Sequence, residues 1–139
     1  MKSIIRFGAV AIAAAAVFTS TASAHMSTTV TIRHQMRGCH AWAVANGPYK
    51  ASLKLRVDRD ARLVFVNNDV MPHKLVQIAG PKARLSKANM NRISAKAFVS
   101  FTKKGVYRFR TKAGEDYPSM DGMKTIGEDN VLRLTVTVS

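Results

Sequence analysis

From residue 28 onward, apolar and polar positions alternate along most of the chain. Thr28 to Gln35 sets Val30, Ile32 and His34 against Thr29, Thr31 and Arg33. Leu53, Leu55 and Val57 alternate with Lys54 and Arg56. Leu63 to Val66 is a short apolar run, and Leu75, Val76 and Ile78 form another. Ala97 to Phe101 and Val106 to Phe109 flank Lys103-Lys104-Gly105, which reads as a hairpin turn. Val131 to Val138 alternates Val and Leu with Arg133, Thr135 and Thr137. A period of two, rich in β-branched residues, puts one face of each segment in a core and the other in water. Gly47-Pro48, Gly80-Pro81 and Gly114 punctuate these runs. Many short strands at regular spacing predict a sandwich or barrel of about seven to eight strands. Only Lys82 to Arg92 admits a short helix. No internal repeat, linker or low-complexity stretch interrupts the pattern.

The start of the chain reads differently. Lys2 and Arg6 precede an apolar run from Ile4 to Phe18, and Ala22-Ser23-Ala24 follows it. Positive residues, a short apolar core and a small-x-small triplet are the pattern a signal peptidase reads. The run is shorter than the roughly 20 residues a spanning helix needs. Residues 1–24 are therefore expected to be a signal peptide, and 25–139 one domain of an exported (secreted, periplasmic or cell-envelope) protein. Cleavage after Ala24 would leave His25 with a free amine beside its imidazole, a chelating pair for Cu(II). No pattern for an opposing histidine accompanies it.

Charge narrows the partners. The formal net charge is +14, and removing Lys2 and Arg6 leaves +12. Such a surface favours anionic partners: an acidic redox or copper-handling protein, or an anionic envelope. Nucleic acid is not expected, because the basic residues are dispersed without an Arg-rich run or a recognisable motif. The chain has one cysteine, Cys39, which cannot form an internal disulfide. It is an intermolecular link, a buried thiol or a metal ligand, and oxidation of exposed thiols outside the cell favours a protected or metal-bound role.

The segment from Val57 to Ile78 carries the most specific signal. A strand ends in Asn67-Asn68-Asp69, and His73 opens the next strand. This resembles the cupredoxins, in which the histidine after such a turn is the first copper ligand. Gly105-Val106-Tyr107-Arg108-Phe109 is similar to the family's penultimate Gly-x-Tyr-x-Phe strand, and Val131 to Val138 to its closing strand. The resemblance spans roughly Ser52 to Ser139 plus a first strand near Thr28 to Gln35. It implies a Greek-key β-sandwich of the cupredoxin type. It also implies one copper ion cycling between Cu(I) and Cu(II).

The chain departs from that family in its ligand loop. Blue-copper members carry a cysteine, a second histidine and a methionine before the last strand. The loop here, Thr111 to Asn130, has no cysteine or histidine but has Met120 and Met123. In the family the first strand runs parallel to the third, so the loops after both open at one pole. The resemblance thereby implies that Cys39, His40, His73 and the Met120/Met123 loop emerge together. A thiolate, two imidazoles and a thioether would make a type 1 ligand set. His34 competes with His40 for the second imidazole. Met36 and Met71 are lesser candidates, Glu115 and Asp116 are possible hard ligands, and Trp42 and Tyr49 read as packing residues.

The leading expectation is an exported monomeric copper protein serving one-electron transfer or copper handling. The alternative is a metal-free sandwich that binds partners through its basic surface. Catalysis is not expected, because the chain lacks a Ser-His-Asp set, a HExxH motif and a phosphate-cradling glycine loop.

Overall fold

The computed structural model describes residues 26–34, 40–112 and 131–139. Ten strands build the fold: β1 (Ser27–His34), β2 (His40–Val44), β3 (Ser52–Val57), β4 (Arg62–Asn67), β5 (His73–Ala79), β6 (Arg84–Ser86), β7 (Asn89–Met90), β8 (Lys96–Ser100), β9 (Gly105–Lys112) and β10 (Arg133–Val138). They form two five-stranded sheets, ordered β2-β1-β4-β8-β6 and β3-β10-β9-β5-β7. Each sheet is mixed, with one parallel pair: β1 beside β4, and β10 beside β3. The parallel β1/β4 pairing is the one the cupredoxin resemblance implied. The fold is an all-β Greek-key sandwich.

The alternation expected from sequence is the alternation observed. Val30 and Ile32 of β1, Leu63 and Phe65 of β4, and Leu134, Val136 and Val138 of β10 all face the shared core. Trp42, Phe101, Tyr107 and Phe109 fill its centre, where fully burying one such side chain is worth about 1.5–3 kcal/mol. Phe101 meets Tyr107 edge-on at 4.8 Å between ring centroids. The Tyr107 hydroxyl donates to the Lys103 carbonyl at 2.6 Å and so pins the β8–β9 turn.

Two expectations need correction. The described residues form ten strands, not seven to eight. The additional ones are β2, which is buried on almost every residue and so shows no alternation, and the short edge strands β6 and β7. Lys82 to Arg92 is not a helix. It supplies β6, paired with β8, and β7, paired with β5. Pairing two edges and burying Met90 outweighs the weak helical preference there, and Lys87 between them takes a left-handed φ of 52°.

Gly80 lies where β5 leaves its sheet, just past an irregularity between Gln77 and Ala79. Its φ is +97°, and a Cβ there would stand 2.3 Å from the Val106 carbonyl oxygen. Only glycine allows this approach of two backbones.

Candidate metal centre

The centre is built on the turn between β4 and β5. Asn67 continues the inward-facing row of Leu63 and Phe65, which buries a side-chain amide at the end of the sandwich. Its hydrogen-bonding groups are all engaged. Its Nδ2 donates to the carbonyls of Met71 and Met90, each at 2.9 Å, and its Oδ1 accepts from the Asp69 N–H at 2.9 Å. Asp69 Oδ1 in turn accepts from the Met71 N–H at 3.1 Å. These are two successive side-chain-to-backbone turns, each closing two residues on, which is why Asn and Asp stand there. The Asn68 N–H donates to the Ile32 carbonyl at 2.8 Å and ties the turn to β1. Asp69 is thus fixed before the chain reaches His73.

Long-range pairing then brings the histidines to it. Parallel pairing sets Ile32 of β1 beside Asn67 of β4. Antiparallel pairing sets His40, the first residue of β2, opposite His34, the last of β1. His73 opens β5 opposite Met90 of β7. The result is a buried His–Asp–His group. His40 Nδ1 and His73 Nε2 both bond the same Asp69 oxygen, Oδ2, the second at 3.1 Å. The two imidazole rings are 4.9 Å apart and nearly perpendicular. All three residues are at most 1% exposed. His34 packs edge-on against His40 at 5.6 Å and is exposed on the solvent side.

Burial pushes the Asp69 carboxyl up. The hydrogen bonds from His40, His73 and the Met71 N–H outweigh it and hold the group well below the usual carboxylate range. Asp69 is therefore ionised and can only accept hydrogen bonds. Both imidazoles must donate to it, His40 through Nδ1–H and His73 through Nε2–H. The nitrogens left over, His40 Nε2 and His73 Nδ1, are both buried and have no hydrogen-bond partner. An orphaned buried polar group costs about 1–3 kcal/mol. In the tautomer that donates to Asp69, each of these nitrogens carries a lone pair that a cation can satisfy. A carboxylate that fixes the tautomer and orientation of ligating histidines is the usual support of a metal site. The residues present therefore fit a metal ion.

A second grouping overlaps the first. His34, His40 and Asp69 can each offer one donor atom, all within 4.8 Å of one another. Asp69 Oδ2 is already engaged by two imidazoles, so its part is better read as orienting than ligating. His34 stands at the solvent edge of the centre.

The residues named from sequence fall into three groups. His40 and His73 meet at the centre. His34 is adjacent but exposed. Cys39, Met120 and Met123 lie outside the described residues, as do His25, Met36, Glu115 and Asp116. Cys39 immediately precedes His40, and β9 reaches the His73 end of the sheet, where Lys112 is paired with Lys74. Met71 serves through its backbone, Trp42 is core, and Tyr49 lies beneath Arg33 at 5.6 Å. Asp69 and Asn67 were legible only as turn formers. The available signal was an acid four residues before His73, within a turn already holding two asparagines.

No protein-family model matches the sequence, and no curated protein matches it. Among solved structures, the chain is similar to a methionine-to-alanine variant of amicyanin in its Cu(I) form. The identity is 16%, with 80% of this chain and 82% of that one covered and a TM-score of 0.43. It is also similar to a purple cupredoxin from Nitrosopumilus maritimus, at 18% identity, with 80% and 98% covered and a TM-score of 0.42. By its strand topology, with β1 parallel to β4 and a histidine opening the strand after the Asn-Asn-Asp turn, the chain has a cupredoxin-like fold.

Proposed function

We propose that this chain is an exported copper protein that carries single electrons, with His40 and His73 holding one ion through Nε2 and Nδ1. The observation that carries this reading is the pair of buried, partnerless ring nitrogens oriented by one ionised carboxylate. Copper bound there supplies a Cu(I)/Cu(II) couple, for which imidazole suits both oxidation states. Cys39, next to His40 in the chain, is the soft ligand proposed, with a thioether from Met120 or Met123.

The protein's own residues do the rest. Asp69 anchors both imidazoles, so neither ring has to reorient when the charge at the centre changes. Asn67 and the turn bonds hold Asp69 in place. Burial of His40 and His73 keeps water from competing for the free nitrogens. A centre that delivered copper would need ligands free to swing toward an acceptor, and these two are clamped, which favours electron transfer over copper delivery. The basic surface would steer an acidic redox partner toward the protein. The chain acts as a carrier and not as a catalyst.

The test is voltammetry and visible absorption of the copper-loaded protein beside Cys39→Ser. A reversible couple, with an intense thiolate-to-copper band lost in Cys39→Ser, is the expected result. Tight but colourless Cu(I) binding without a reversible couple would replace electron transfer with copper handling.

A further inference from the structure

The outer face of the β3-β10-β9-β5 sheet carries Lys54, Arg56, Lys74, Arg108, Arg110 and Arg133. None of these strands contains an Asp or Glu. The register sets them side by side. Arg133 lies directly opposite Arg110, and Lys54, Thr135 and Arg108 form the adjacent row. Like charges directly opposite one another destabilise a sheet. On the other sheet Arg62 lies over the Phe98 ring at 4.4 Å and Arg33 over Tyr49 at 5.6 Å, while Arg84 of β6 is exposed without such a partner. Among the described residues, none of the six cations named here has a carboxylate or an aromatic ring as partner. Arg110 is half-buried between its neighbours, and its Nε is buried without a hydrogen-bond partner.

We propose that this face docks the protein onto an anionic lipid surface. The inference does not depend on the metal centre. Strands about 4.8 Å apart, with outward residues about 7 Å apart along each, spread the cations over a two-dimensional array on one face. That geometry matches a headgroup layer. Among the described residues, the face has no aromatic anchor of the kind that centres a protein interface. At its margin stand two exposed aliphatic side chains, Ile78 at 52% and Val106 at 47% exposure, suited to shallow contact with acyl chains. Both lie at the end of the sheet away from His73, since β5 runs from His73 to Ala79, roughly 20 Å.

The experiment is flotation of the purified protein with vesicles of phosphatidylcholine alone, or mixed with phosphatidylglycerol, at low and high salt. Binding only to the mixed vesicles, weakened by salt, is expected. Each cation near such a surface is worth about fivefold in partitioning. The double reversal Arg108→Glu with Arg133→Glu should therefore lower binding by about 100-fold or more. The matched reversal Arg84→Glu with Lys96→Glu on the other sheet should lower it only a few-fold. The milder pair Arg108→Gln with Arg133→Gln, at about 25-fold, guards against misfolding of the reversed variant. Ile78→Ser with Val106→Ser should remove the binding that survives high salt. Equal losses from reversals on the two faces, no binding to mixed vesicles, or soluble polyaspartate binding as tightly as the vesicles would each overturn the proposal.

Discussion

Replacing Asp69 by Asn changes neither imidazole and yet should disable the centre. In the native protein Asp69 Oδ1 accepts from the Met71 N–H, and Oδ2 accepts from both histidines. An asparagine must keep its oxygen toward the Met71 N–H, because an amide NH₂ there would set donor against donor. Its NH₂ then takes the place of Oδ2. Both histidines must shift their protons to the opposite nitrogens to accept from it. His40 Nε2 and His73 Nδ1, now bare, would become N–H donors, unable to hold the proposed metal ion. Two hydrogen bonds to a charged acceptor, about 1.5–3 kcal/mol each, are exchanged for neutral ones of about 0.5–1.5. The metal-free variant should therefore lose about 2–3 kcal/mol, a sizeable part of the 5–15 typical of a domain. Loss of an orienting partner lowers metal affinity by about 10- to 100-fold. Urea denaturation without metal, competitive copper titration and nitrogen NMR of the imidazole tautomers measure all three effects. Copper affinity within twofold of the parent, or unchanged tautomers, would refute the assignment of Asp69.

The same residue sets a pH dependence, and two further substitutions test the scaffold. The folded-state pKa of Asp69 is depressed, so its contribution is complete above the unfolded value, about 3.9, and is lost as pH falls toward the folded value. The stability gap between the metal-free parent and Asp69→Asn should thus be full above about pH 5 and shrink below about pH 4, as read by denaturation across that range. Asn67→Ala removes three hydrogen bonds, two of them buried. It should cost about 2–4 kcal/mol by chemical denaturation and weaken copper binding by releasing Asp69. Gly80→Ala forces a Cβ to 2.3 Å from the Val106 oxygen and 2.8 Å from Tyr107 Cα at a φ of +97°. A loss of about 2–4 kcal/mol is expected in thermal or chemical unfolding, with little change in copper affinity.

The strands that alternate, β1, β3, β4, β5, β8, β9 and β10, were legible because one face of each is buried and the period of two records it. β2 was hidden for the opposite reason, since HAWAV is buried nearly throughout and has no polar phase. β6 and β7 are two or three residues long and owe their form to the edges they join, so no local pattern could announce them. At the centre, His73 was legible from the turn before it, and His40 from the parallel β1/β4 pairing the resemblance implied. Asp69 was not, because its role depends on β2 starting beside a turn 29 residues further on. An acid in an Asn-Asn-Asp turn has a sufficient local reason to be there, and only the tertiary structure adds the second one.

The central claim is that His40 and His73 together hold one copper ion. Its most direct test is copper stoichiometry by metal analysis after equilibrium dialysis of the parent, His40→Ala, His73→Ala and His34→Ala. One ion per chain in the parent and in His34→Ala, with loss in both His40→Ala and His73→Ala, is the result expected. Stoichiometric copper that survives either of those two substitutions would contradict the account.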